Sequence, residues 1–403
     1  MSDRPVIPYG KQHITDEDIE AVNRVLRSDY LTQGPEIVKF EEAFAEYTGA
    51  RYAVAVSNGT AALHLGALVL GVSSRSRVIT TPITFSASAN CIAYCGGQIH
   101  FADIDPETFL LDPDSVESLL KAAPAGTYDG IIPVDFAGRA VDLERFRELA
   151  ERYELWIIED ACHAPGGYFT DSKGDRQLCG NGQFADLSVF SFHPVKHIAA
   201  GEGGMITTNN QELYEQLMKL RTHGITKNEQ EFTNPPATAF GSQVRSGEEE
   251  PTYPGWYMEM QELGYNYRIT DFQAALGNSQ LQRAAGGLRR RKEIAEMYDR
   301  ALSGKSYIRR QSGVVKGHAY HLYVIEAEDR AGLYQHLRDQ QIFAQIHYVP
   351  VHLMPYYKRL GWKEGDLPHA ERYYAGCLSL PIYPTLTPEE QQYVIDSIDG
   401  YYG

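Results

Sequence analysis

Between Tyr52 and Asp160 the chain repeats one pattern, a short run of consecutive apolar residues followed by a longer stretch with helical spacing. YAVAVS precedes TAALHLGALVLG, RVITTP precedes FSASANCIAYCGG, QIHFADI stands next, GIIPVDF precedes LERFRELAERY, and LWIIED closes the series. A strand with one wet face alternates apolar and polar residues. These runs do not alternate, so both of their faces must be covered. The fold class that follows is α/β, a mainly parallel sheet with helices on both sides. Ligands of such sheets bind beyond the carboxyl ends of the strands, and functional residues are sought there.

The 403 residues, 43% apolar and 22% charged, suffice for two domains and exclude a fibre or an extensively disordered chain. Residues 1–262 are expected to form a large domain and 263–403 a smaller α+β one, which opens on the helical pattern DFQAALGNSQLQRAAGGLRRRKEIAEMYDRAL. Residues 226–255 are polar, rich in proline and glycine, and carry an acidic run; they read either as a lid or as a solvated insertion. A formal charge of −16 argues against a general surface for nucleic acid or anionic membrane. It leaves room for an anionic ligand in a locally positive pocket. The five cysteines are odd in number, and only Cys91 and Cys95 are closely spaced, in an apolar segment; packed thiols in a reducing cytoplasm and no metal are the expectation. No stretch reaches the ~18–20 apolar residues of a membrane span, and the opening MSDRPVIPYG has no apolar signal core.

Four stretches fall at expected strand ends. In SFHPVKHIAAGEGG, Lys196 sits in a tight connection between the apolar runs LSVFSF and GGMITT, with Ser191 at the end of the first. In LWIIEDACHAPGG, Asp160 ends a hydrophobic strand, where a carboxylate needs a donor or a charged partner. In SNGTAALHL, Ser57 to Thr60 open a helix after a strand, either as a plain N-cap or as free N–H groups and hydroxyls suited to a phosphate. In TPITFSASAN, Phe85 follows a strand, as a core aromatic or as a ring able to stack on a planar ligand. Together they call for a planar cofactor with a phosphate, a ring nitrogen wanting a carboxylate and an aldehyde wanting an amine. Pyridoxal phosphate has those needs. A buried lysine with a depressed pKa would both form the Schiff base and carry a proton.

The chain resembles the DegT/DnrJ/EryC1/StrS sugar aminotransferases, within the fold type I pyridoxal-phosphate enzymes, over nearly its whole length. IPYGKQHITDEDIEAV, SDYLTQGPEIVKFEEAFAEYTGA, VSNGTAALHL, TPITFSASAN, IIEDACHAPGG, SVFSFHPVKHIAAGEGGMITTN, GYNYRITDFQAALG and SLPIYPTLT carry the resemblance. It implies a large domain with a mainly parallel sheet of the seven-stranded type, a smaller C-terminal domain, and a homodimer with shared active sites. It further implies Lys196 as the Schiff-base lysine, Asp160 as partner of the pyridine nitrogen, and His163 near the ring hydroxyl. Ser57, Gly59, Thr60 and Ser191 would surround the phosphate, Phe85 would stack on the ring, and Asn266 would reach the phosphate of the neighbouring subunit, a turn residue being the plainer account of it.

WYMEMQELGYNYR and HYVPVHLMPYY are similar to the branch that aminates a UDP-linked 4-keto-6-deoxy-N-acetylhexosamine on the way to pseudaminic acid, with L-glutamate as donor and 2-oxoglutarate as product. Tyr30, Leu31, Thr32, His347, Tyr348, Pro350 and His352 are the candidates for contacts with the nucleotide sugar. HYVPVH also reads as a strand showing alternate residues to water. The insertion at 228–254 is longer and more acidic than that branch implies, and His197, Cys162 and Pro165 are local departures. Other readings are a different keto sugar or ring carbon, a 3-dehydratase, whose relatives have histidine where this chain has Lys196, and a non-catalytic binding regulator.

Overall fold

The computed structural model describes residues 6–243, 252–310 and 316–403. Its central sheet is built from β1 (Tyr52–Val56), β2 (Arg77–Thr80), β3 (Gln98–Phe101), β4 (Gly130–Ile132), β5 (Trp156–Asp160), β6 (Leu187–Ser191) and β7 (Gly204–Thr208). The spatial order is β1-β7-β6-β5-β4-β2-β3. Only β7 runs against its neighbours, with Gly204 opposite both Val56 and Ser191. The seven-stranded, mainly parallel α/β architecture of fold type I is therefore present.

Both faces of the sheet are covered, as the unbroken apolar runs require. Along β1, Val54 and Val56 pack with Leu63 and Leu65 of α3 (Gly59–Val69), while Ala53 and Ala55 pack with Phe40 and Phe44 of α2 (Pro35–Thr48). α3 is itself apolar nearly all round, as expected of a helix buried between sheet and neighbours. The crossover helices Ala87–Tyr94 and Leu143–Tyr153 cover other strands.

The C-terminal helical pattern divides at Arg283 (φ −101°, ψ −2°), which closes α8 (Asp271–Gln282) and opens α9 (Ala284–Leu302). α8 packs on α2 and on α1 (Asp16–Leu26). Buried carboxylates fix both contacts. Asp271 accepts from the amides of Gly34 (2.8 Å) and Glu36 (3.0 Å) at the start of α2. Asp18 of α1 accepts from Ser279, Gln280 and Arg283. Beyond α9 an antiparallel sheet of Ile308–Arg310, Tyr323–Ala327 and Cys377–Leu380 shares an apolar cluster with α9 and the C-terminal helix Pro388–Tyr402. Ile7 joins that cluster, because Ile7–Pro8 pairs with Ile342–Phe343.

At 226–255, the base of the segment is tied down. Ile225–Thr226 pairs with Glu259–Met260, and the Glu259 carboxylate accepts from the Thr233 and Asn234 amides and from Tyr257 and Gln261. The acidic run at 248–250 lies outside the described residues.

Candidate active site

The carboxyl ends of β1, β2, β5 and β6 open into a cavity of about 880 Å³. Lys196, Asp160, Gly59, Thr60, Phe85, His163, Ser191, His347 and Tyr348 all line it, so the four strand-end stretches converge on one place.

Asp160, the last residue of β5, is 4% exposed. Its Oδ2 accepts a 2.6 Å hydrogen bond from Ser88 Oγ and its Oδ1 one of 3.2 Å from the Cys162 amide, while Thr84 Oγ1 lies 2.7 Å from Ser88 Oγ. Hydrogen bonds to a buried carboxylate hold its oxygens in fixed directions. Lys196 follows β6 in a turn closed by its own amide on the His193 carbonyl at 2.8 Å. Burial pulls its amine below the ordinary lysine value, and the nearby Asp160 carboxylate offsets part of that shift. Such an amine has a larger neutral fraction, which nucleophilic and proton-carrying roles both require.

The histidines around it are held neutral. Burial first, then Lys196, pushes His163 well below its ordinary value, and the same two causes take His347 down to about 3. The Ala137 amide donates to His163 Nδ1 at 3.3 Å, so the ring proton belongs on Nε2, which lies 3.3 Å from the Tyr348 hydroxyl. His321 lies tilted against His163 with ring centroids 4.4 Å apart. His347 Nδ1 is 2.8 Å from Ser379 Oγ.

At the start of α3, the Asn58 side chain accepts from the Ala61 amide at 2.8 Å, so the N-cap reading holds. It does not consume the helix end, because the first amides, on Gly59 and Thr60, have no intrahelical partner. A Cβ on Gly59 would stand 3.0 Å from Ser191 Cβ, and one on Gly204 only 2.5 Å from the Asn58 carbonyl oxygen. Glycines thus let the helix start, Ser191 and the β7 strand close into a cup, the arrangement that an anionic phosphate fits. Pyridoxal phosphate fits the rest of the site as well, with an amine, a buried carboxylate and an aromatic ring on the walls of one cavity.

Phe85 is 59% exposed, so the core reading gives way to a ring free to face a ligand. Ser57 does not line the cavity, and its amide is taken by the Tyr267 carbonyl at 2.8 Å. Tyr30, Leu31, Thr32 and Asn266 are exposed outside it. Thr32 bridges to Thr270 and Asn266 to Thr222.

Two expectations are corrected. Pro350 is buried away from the cavity, and His352 is 0% exposed, with Nε2 3.0 Å from Glu371 Oε1. A side chain without accessible surface touches no substrate. The strand reading of HYVPVH fails too, since Val351–Leu353 forms a 3-10 turn. Ser88, Thr84, His64, Tyr267, Glu202 and His321 line or support the site without having been singled out in the sequence. The one usable signal was Ser88, a hydroxyl on a helix that directly follows a strand end.

The chain matches the DegT/DnrJ/EryC1/StrS aminotransferase family over residues 12–399. It is 35% identical to the spore coat polysaccharide biosynthesis protein SpsC of Bacillus subtilis, over 97% of this chain and 96% of that one. It is 32% identical to the UDP-4-amino-4,6-dideoxy-N-acetyl-beta-L-altrosamine transaminase of Campylobacter jejuni, over 98% and 96%. Among solved structures it is similar to Helicobacter pylori PseC, an aminotransferase involved in the biosynthesis of pseudoaminic acid, with a TM-score of 0.85, 29% identity and 99% of each chain covered.

Proposed function

From the premise that this chain belongs to the DegT/DnrJ/EryC1/StrS aminotransferase family, as a pyridoxal-phosphate-dependent sugar aminotransferase, we propose that it transfers an amino group from L-glutamate to the 4-keto carbon of a UDP-linked 4-keto-6-deoxy-N-acetylhexosamine, on a pathway of the pseudaminic-acid type. The choice of sugar is supported by the full-length likeness to the Campylobacter transaminase and to PseC. The amino-transfer chemistry is carried by one observation, the shared cavity of the Lys196 amine and a buried Asp160 carboxylate.

The roles divide as follows in this proposal. Bound pyridoxal phosphate supplies the electron sink that makes a substrate proton removable. Lys196 would hold the cofactor through its Nζ. Its freed Nζ then takes the proton from the glutamate α-carbon, and in the second half of the cycle delivers a proton to the sugar carbon. Asp160, oriented by Ser88 and the Cys162 amide, keeps a proton on the ring nitrogen. The Gly59 and Thr60 amides with Ser191 would hold the phosphate, and His163 and Phe85 would hold the ring. His347 and Tyr348 are the remaining candidates for the sugar side.

The proposal includes a homodimer in which the exposed Asn266 and the surface residues Tyr30, Leu31 and Thr32 serve the partner's site. It also includes the division into 1–262 and 263–403, with Ile7–Pro8 and α8 crossing it, and a cytoplasmic location. No helix among the described residues is long and apolar enough to cross a membrane. Incubation with ¹⁵N-glutamate and the UDP-4-keto sugar, followed by mass spectrometry, tests the reading. Label in the amino sugar supports it, and label that appears only with a different keto sugar replaces the substrate.

A further inference from the structure

Lys196 also lines a second, smaller cavity of about 280 Å³ that takes no part in the chemistry above. Its walls come from the N-terminal segment at Lys11 and His13, from His197, and from the junction of α8 and α9 at Arg283, Gly287 and Arg291. In a chain of formal charge −16, none of the residues lining this cavity is an Asp or a Glu.

The cations there are poorly neutralised. Arg291 is 2% exposed, and its Nη1 donates to the carbonyl oxygens of Tyr320 (3.1 Å), His321 (3.3 Å) and Ile382 (3.0 Å). Among the described residues no carboxylate pairs with it. Asp18 neutralises Arg283 through Nη2. Lys11 is exposed at the rim and has no ion pair among the described residues. A buried guanidinium without a counter-charge is costly. An anion in the cavity beside Arg291 would offset that cost.

We propose that this cavity binds a small dianion, a dicarboxylate or inorganic phosphate, at a site separate from the phosphate cup at Gly59 and Ser191. The inference rests on the composition of the cavity wall and not on the identity of the sugar.

The test uses the holoenzyme saturated with pyridoxal phosphate, so that the phosphate cup is filled. Inorganic phosphate and glutarate are titrated separately by calorimetry. Lys11→Glu should weaken binding at least tenfold. Gly287→Glu should abolish it by bringing a carboxylate of the chain's own; a Cβ there meets only Pro384 Cγ at 3.7 Å, an ordinary contact. Unchanged cofactor absorbance in both variants shows that fold and cofactor site are intact. Binding of phosphate alone or glutarate alone, lost in the variants, supports the site and identifies its ligand. Absence of binding by both anions, or binding that both variants leave unchanged and that therefore belongs elsewhere, overturns it.

Discussion

Ser88→Ala is a sharp test of how the site is built, because it removes one oxygen atom that contacts the central carboxylate. Ser88 Oγ donates to Asp160 Oδ2 at 2.6 Å, and the Cys162 amide donates to Oδ1 at 3.2 Å. A hydrogen bond to a charged group contributes roughly 1.5–3 kcal/mol, and the shortness of this one argues for the upper half of that range. Thr84 Oγ1, 2.7 Å from Ser88 Oγ, loses its partner in the same step. Since about 1.36 kcal/mol is tenfold, the variant should hold pyridoxal phosphate and turn over roughly 45- to 160-fold less well. Cofactor affinity is read by equilibrium dialysis with absorbance, kcat by steady-state assay, and folding by thermal denaturation. A folded Ser88→Ala enzyme within twofold of the parent in both quantities refutes the view that Ser88 orients Asp160.

Other substitutions separate chemistry from scaffold. Lys196→Ala and Lys196→Arg should abolish turnover while far-UV circular dichroism stays unchanged; an active alanine variant would remove the lysine from the mechanism. Asp160→Asn should retain cofactor poorly after gel filtration and lose most activity. His352→Leu should lower the unfolding temperature through loss of the contact with Glu371, yet leave the KM for the sugar within twofold, and a large KM change would return His352 to the substrate site. For pH, His318 and His347 are both held at about 3 in the folded chain, burial being the first cause, against about 6.5 in the unfolded chain. The unfolded state therefore binds protons first as pH falls below 6.5, and stability is lost from there downward until about pH 3. Between pH 7 and 5 each histidine should remove about 2 kcal/mol of stability, measured as an earlier urea midpoint at pH 5. An unchanged midpoint would mean that these rings are not buried neutral.

Much of this was legible in the sequence because strand interiors and strand ends are written differently. The unbroken apolar runs YAVAV and LWII could be accommodated only by a sheet covered on both faces, and polar residues at their ends, Asn58 to Thr60 and Asp160, marked the site. The antiparallel sense of β7 was not legible, since strand direction depends on the tight connection through Lys196 and not on the apolar content of GMITT. HYVPVH misled because its alternating pattern resembles an edge strand, whereas Pro350 turns the chain and His352 goes into the interior to meet Glu371. Ser88 and His321 were missed for another reason. Each acts through a neighbour distant in sequence, Asp160 at 72 residues in the first case and His163 in the second, and that proximity exists only once the chain is folded.

The most direct test of the central claim is the visible absorbance of the purified protein with pyridoxal phosphate, before and after L-glutamate, on the parent and on Lys196→Ala. The account predicts a band from cofactor attached to Lys196 that collapses on addition of glutamate and is altered from the outset in the variant. A band that glutamate leaves unchanged, or one identical in Lys196→Ala, contradicts it.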